Sequence, residues 1–90
     1  MIAAGKEELR EWFEYGVKNK HKYMLIVYDQ MEAPDDADSA YYADDKDEAW
    51  KLVGTFNNDP MSKIMEIYDL TMDMESQLAE KRVWNLPEQV

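Results

Sequence analysis

Cysteine is absent from these 90 residues, which excludes both a disulfide framework and a thiolate metal site. Histidine is nearly absent too. His21 is alone, with no cysteine, no GxSxG-like serine elbow and no paired Ser/His pattern for it to activate, so no catalytic residue is assigned. The three glycines, Gly5, Gly16 and Gly54, are isolated and cannot form a loop that cradles phosphate. No apolar run approaches the roughly 18 to 20 residues that cross a bilayer. Residues 1–6 hold no apolar stretch of the signal-peptide kind. These absences lead to an expectation of a cytoplasmic chain with no cofactor, no metal and no membrane partner.

What is present is acid. Twenty Asp and Glu stand against ten Lys and Arg, a net charge of −10, and their placement matters more than their total. Residues 1–22 are close to balanced. Residues 29–49 hold nine carboxylates (Asp29, Glu32, Asp35, Asp36, Asp38, Asp44, Asp45, Asp47, Glu48) against Lys46 alone, and so carry −8. Such a segment repels phosphate backbones and anionic lipid, which argues against direct nucleic-acid binding and selects basic partners. Asp35, Asp36, Asp38, Asp44, Asp45, Asp47 and Glu48 are therefore the candidate binding surface. A calcium loop does not fit. With Asp36 as position one, position six is Tyr41 rather than glycine and position twelve is Asp47 rather than glutamate.

A hydrophobic content of 46%, with three Trp, six Tyr and two Phe, is enough for one packed core, so residues 1–90 read as a single acidic domain. Leu9, Trp12, Phe13 and Val17 form one stripe of an amphipathic helix over about 6–17. Residues 23–28 (YMLIVY) are apolar on both faces and too few for a typical helix, which predicts a central buried strand with helices on at least one side. Ala33-Pro34-Asp35-Asp36 carries turn chemistry, and residues 40–43 predict a second, antiparallel strand. A brief helix is expected over about 46–53, capped by Asp44 or Asp45 and ended or broken at Gly54. Asp59-Pro60 reads as a helix start, predicting a long last helix over about 59–82. On that helix Met61, Ile64, Met65, Ile67, Tyr68, Met72, Met74 and Leu78 would cover about half the circumference, with Gln77 on the polar half. So wide an arc suggests contact with the first helix as well or with a second copy, a homodimer, and its methionines an adaptable binding surface.

The resulting fold class is α+β: an N-terminal helix, a small two- or three-stranded antiparallel sheet, a short helix, and a long C-terminal helix packed on the sheet. Glu75 would fall within the apolar arc of that helix, where a carboxylate has to be paired, at a rim, or used in recognition. Asp29 ends the central strand, a common place for functional carboxylates. Asp29, Tyr41, Trp50, Tyr68 and Glu75, with Tyr28, therefore define an alternative site: a small-ligand pocket between the sheet and the last helix.

Residues 9–16 (LREWFEYG), 21–29 (HKYMLIVYD) and 61–70 (MSKIMEIYDL), extended by 74–79 (MESQLA), together resemble a small family of bacterial and phage proteins with the pattern LxxWFxxG, HMIVVxD and VMEVYDL. The resemblance implies a helix–strand–strand–helix order, brings no activity with it, and fits a small phage accessory protein or inhibitor acting in a bacterial host cell. This chain departs from the pattern at Lys22, at residues 30–32, and in the acidity of residues 33–48. Taken together, these features predict a non-enzymatic protein whose acidic surface docks on a basic, nucleic-acid-binding partner as a phosphate mimic.

Overall fold

The stripe on the first helix needs an apolar surface to lie on, and the central strand provides it. The structure, a computed structural model, describes residues 5–29 and 39–88, the Asp29 side chain excepted. Along the chain these residues form α1 (Lys6–Lys18), β1 (Tyr23–Asp29), β2 (Ser39–Ala43), α2 (Lys46–Asn57), β3 (Ser62–Asp69) and α3 (Met74–Leu78). The three strands make one antiparallel sheet in the order β2-β1-β3. No helix among the described residues is long and apolar enough to cross a membrane.

β1 is the centre of the molecule, and residues 24–27 (Met24, Leu25, Ile26, Val27) are at most 1% exposed. Strand alternation sends Met24 and Ile26 to one face and Leu25 and Val27 to the other. On the first face they meet Leu9 and Phe13 of α1, Tyr68, Leu70, Leu78 and Val83. On the second they meet Ala43 of β2, Ala49 and Val53 of α2, Ile67 and Leu86. Both faces are thus covered, each fully buried side chain being worth about 1.5–3 kcal/mol of removal from water. The predicted stripe of α1 is rotated slightly in the fold. Leu9, Phe13 and Gly16 are buried, whereas Val17 is exposed.

α1 ends in a Schellman motif. Lys20 N–H donates to Val17 O, His21 N–H donates to Gly16 O, and Lys20 takes the left-handed conformation (φ 63°) that glycine more often supplies. The motif turns the chain directly into β1 and positions His21 at its start. α2 begins as expected. The Asp45 side chain accepts from Glu48 N–H at 2.8 Å and the Glu48 carboxylate accepts from Asp44 N–H at 3.1 Å, a reciprocal cap. The helix then runs through Gly54 to Asn57 instead of stopping near Val53. An isolated glycine costs only about 1 kcal/mol relative to alanine, less than the burial of Val53 and Phe56 against the sheet returns.

The long last helix does not form. Residues 62–69 are instead the third strand, and only residues 74–78 are helical beyond it. Asp59 does accept hydrogen bonds as a cap would, but from Met61 N–H (2.9 Å) and Ser62 Oγ (2.9 Å), so it closes a turn rather than starting a helix. β3 pairs with the open edge of β1 from Tyr23↔Asp69 to Asp29↔Ser62, with a bulge that skips Met65 between Ile26↔Glu66 and Val27↔Ile64. The residues read as one helical arc are divided by this strand: Tyr68 and Met65 join the α1 side, Ile67 and Ile64 the α2 side. The apolar excess that suggested a homodimer is therefore largely accounted for inside one chain. The methionine surface is dispersed likewise, with Met65 and Met74 partly buried and Met72 exposed.

The segment after α3 returns along the outer edge of β3. Ile67 N–H donates to Val83 O at 2.8 Å and Asn85 N–H donates to Ile67 O at 2.9 Å, forming a parallel bridge between Ile67 and Trp84. Gln77, placed on a polar face by the helical reading, is only 2% exposed and locks this return in place. Its carbonyl accepts from Asp69 N–H and from the Asn85 side chain (2.8 Å each), and its amide donates to Asp69 O (2.9 Å) and Asp73 O (3.0 Å).

Candidate functional site

The acidic end of the molecule lies where β2 passes into α2. Asp44, Asp45, Asp47 and Glu48 are all exposed there, within one turn of chain. Their positions follow from local chemistry, because carboxylates cap a helix N-terminus and suit its positive end. Lys46, the one cation in the segment, has its ammonium 3.5 Å from Glu88 O and forms no ion pair with the acids around it among the described residues. The charge of this turn is therefore not cancelled locally.

His21 and Tyr42 fix the turn to the rest of the fold. His21 Nδ1 stands 2.5 Å from Asp44 Oδ1, and its ring stacks on Tyr42 with centroids 5.0 Å apart and planes 18° apart. The Tyr42 hydroxyl donates to Trp12 O at 2.7 Å, and burial pushes its phenol above the usual tyrosine range, with Tyr15 adding to the rise. Next to this cluster is an open depression of about 530 Å³ between α1 and β2, lined by Glu11, Trp12, Tyr15, Ser39, Ala40 and Tyr42. Among the described residues no strand covers the outer edge of β2.

Of the predicted binding surface, Asp44, Asp45, Asp47 and Glu48 come together at this turn, whereas Asp35, Asp36 and Asp38 lie outside the described residues. No group of three or more His, Cys, Asp or Glu among the described residues could hold a metal ion.

The residues of the alternative pocket are dispersed. Tyr41 and Trp50 pack on the α2 side of the sheet, with Tyr41 against Phe56 (centroids 4.8 Å) and the Trp50 indole donating to Pro87 O at 2.8 Å. Tyr68 is buried on the opposite side, edge-on to Phe13, with its hydroxyl donating to Glu66 at 2.8 Å. Tyr28 is half-buried at the far end of β1, and the Asp29 side chain lies outside the described residues. The pocket required a long helix against the sheet, and β3 occupies that stretch of sequence.

Glu75 is exposed on α3 and takes a bidentate bond from Arg10 of α1, with Nη2 to Oε1 at 2.7 Å and Nε to Oε2 at 3.1 Å. Arg82, seven residues beyond Glu75 in the sequence, takes no part in this pair. The hydrogen bond from Arg10 holds the Glu75 carboxyl below its ordinary range. A depressed carboxyl contributes stability that is complete above its unfolded pKa and is lost as pH falls through the folded value. Melting temperatures of the natural chain and of Glu75→Gln should therefore differ most near neutral pH and converge in acid. A gap that stays constant across that range would show that the pair contributes nothing through its charge.

Comparison with protein-family models, with curated proteins and with solved structures finds no match to this chain.

One feature of that geometry escaped the sequence reading. Beside the first half of β3 is a cavity of about 410 Å³ whose lining includes Lys63, Lys81, Arg82 and Trp84. A helical reading of residues 59–82 sets Lys63 about 27 Å from Lys81 along the helix axis and stops short of Trp84, and only the strand and the return segment gather them. A usable signal lay at residues 73–76, where Asp-Met-Glu-Ser has the form of a helix start. The Asp73 side chain accepts from Ser76 N–H at 2.8 Å, so α3 begins there and residues 62–69 are free to extend.

Proposed function

We propose that this chain is a non-enzymatic docking protein whose acidic end, at the β2–α2 turn, binds the basic surface of a partner protein that itself handles nucleic acid. The supporting observation is the group of four exposed carboxylates at residues 44–48, not neutralised by Lys46 and fixed to the core through His21 and Tyr42. Charges already held in place cost little to order on binding, and their field speeds encounter with a cationic surface. The edge of β2 that no strand covers among the described residues, and the depression lined by Trp12, Tyr15 and Tyr42, offer further contacts next to the charge. The resemblance to bacterial and phage proteins agrees with an accessory or inhibitory role in a bacterial cell.

The neutralised variant Asp44→Asn, Asp45→Asn, Asp47→Asn, Glu48→Gln tests this reading, because asparagine caps a helix about as well as aspartate and the shape is kept. Captured from a bacterial lysate, partners of the natural chain should be enriched in basic nucleic-acid-binding proteins. They should be released by added salt and by duplex DNA, and the variant should not retain them. Partners that are not basic, or that bind the neutralised variant equally well, would overturn the proposal.

A further inference from the structure

The charge at the other end of the sheet has the opposite sign. Three of the ten cations of the chain, Lys63, Lys81 and Arg82, line the cavity beside β3. Glu66 is the one carboxylate in its lining, and its Oε2 already accepts the Tyr68 hydroxyl at 2.8 Å. Among the described residues the one ion pair between a Lys or Arg and a carboxylate is Arg10–Glu75, so none of the three cavity cations is paired with a carboxylate there. In a chain with twice as many acids as bases, these three exposed cations gathered at one cavity are open to an anion from outside.

Distance protects this local field from the acidic end. Tyr23 pairs with both Ala43 and Asp69, so the acidic turn follows the end of the sheet where β3 finishes, six residues beyond Lys63. At about 3.3 Å per residue along β3 and about 4.8 Å per strand across the sheet, the separation is roughly 20 Å. That is more than twice the Debye length of about 8 Å at physiological salt, so residues 44–48 do little to oppose an anion here.

The fourth wall is aromatic. Trp84 is 50% exposed, yet its backbone is held on both sides, by Val83 O accepting from Ile67 N–H and by Asn85 N–H donating to Ile67 O. Asn85 is fixed further by its bond to Gln77. An indole left half open on an anchored backbone is a ready stacking surface, since its position is set before any ligand arrives. A volume of about 410 Å³ falls within the range of small-molecule sites and is far too small for a folded partner.

We infer that this cavity binds a small phosphorylated ligand carrying a flat ring, of the mononucleotide class. Lys63, Lys81 and the planar fork of Arg82 would hold the phosphate oxygens, and Trp84 would stack on the ring. Three donor groups suit a terminal phosphate better than a single carboxylate, and the arginine fork matches two of its oxygens at once. This site is separate from the acidic docking surface, and either can fail without the other.

Titration with ADP, followed by tryptophan fluorescence and by the backbone amide signals of Lys63, Trp84 and Asn85, tests the inference. ADP should saturate the site at least about tenfold more tightly than either adenosine or inorganic phosphate alone, because each supplies only one of the two contacts. Arg82→Gln, Lys81→Gln and Trp84→Ala should each weaken ADP binding several-fold. Lys51→Gln, which removes the same charge from exposed α2, should leave it unchanged. Absence of a saturable response to ADP would overturn the inference. Phosphate or adenosine binding as well as ADP would overturn it too, as would Lys51→Gln acting as strongly as Arg82→Gln.

Discussion

Gln77→Ala is expected to destabilise the domain by about 3 kcal/mol, lowering its melting temperature by roughly 12 to 24 °C for a chain of this size. The side chain is 2% exposed and makes four hydrogen bonds, to the Asp69 N–H, Asp69 O, Asp73 O and the Asn85 amide. Truncation removes all four and leaves the Asp69 N–H at the end of β3 without its partner, while Asp69 O keeps its bond from Met72 N–H at 3.2 Å. Unpaired buried groups of this kind cost about 1–3 kcal/mol each, whereas a made hydrogen bond is worth only about 1 kcal/mol net. The loss should therefore exceed that of an ordinary surface amide. It should also be local before it is global. Hydrogen exchange at Ile67 and Asn85, the amides that attach the return segment to β3, should accelerate more than exchange at Leu25 in β1. A Gln77→Ala variant as stable as the natural chain would show that water or a rearranged Asn85 replaces the network.

Gly16→Val is expected to cost about 3 kcal/mol, and the comparison with Gly54→Ala gives this its meaning. A Cβ built at Gly16 would lie 2.6 Å from Leu70 Cδ1 and 2.7 Å from Tyr42 Cε1, well inside contact distance. Leu70 can rotate, but the Tyr42 ring is held by its hydroxyl bond to Trp12 O and by stacking with His21. α1 would have to lift from the sheet, disturbing the cluster that fixes the acidic turn. Gly54 also lies within a helix, yet a Cβ there meets nothing within 4 Å. Gly54→Ala should then show the intrinsic helical preference of alanine and stabilise by about 1 kcal/mol. Chemical denaturation of both variants decides the matter. A large fall of the midpoint for Gly16→Val and a smaller rise for Gly54→Ala support close packing at Gly16, and stabilisation by both substitutions would refute it.

Much of the scaffold was legible because its signals are local. The α1 stripe, the apolar run of β1, the short β2 and the carboxylate cap of α2 each declare themselves within a few residues. The antiparallel three-element core and the exposed acids of residues 44–48 follow from them. Residues 59–82 were not legible in the same way. Asp59-Pro60 suits a turn as well as a helix start, and Ile64, Ile67 and Tyr68 satisfy helical spacing while also alternating across a bulged strand. The candidate ligand cavity could not be seen without that distinction, because Lys63 and Arg82 become neighbours only when the chain extends and returns.

By its own chemistry, then, the sequence determined an acidic α+β fold with a central apolar strand, and a concentration of negative charge in residues 29–49. What lay outside its reach was the state of a segment that could satisfy two patterns equally well. The tertiary structure decided it through β1, which is apolar on both faces and has two edges. β2 satisfies one edge, and the other would leave buried backbone groups without partners unless a second strand lies against it. Residues 62–69 fill that edge, Gln77 holds the return segment over it, and the cations of that segment are brought to face Lys63 across a cavity.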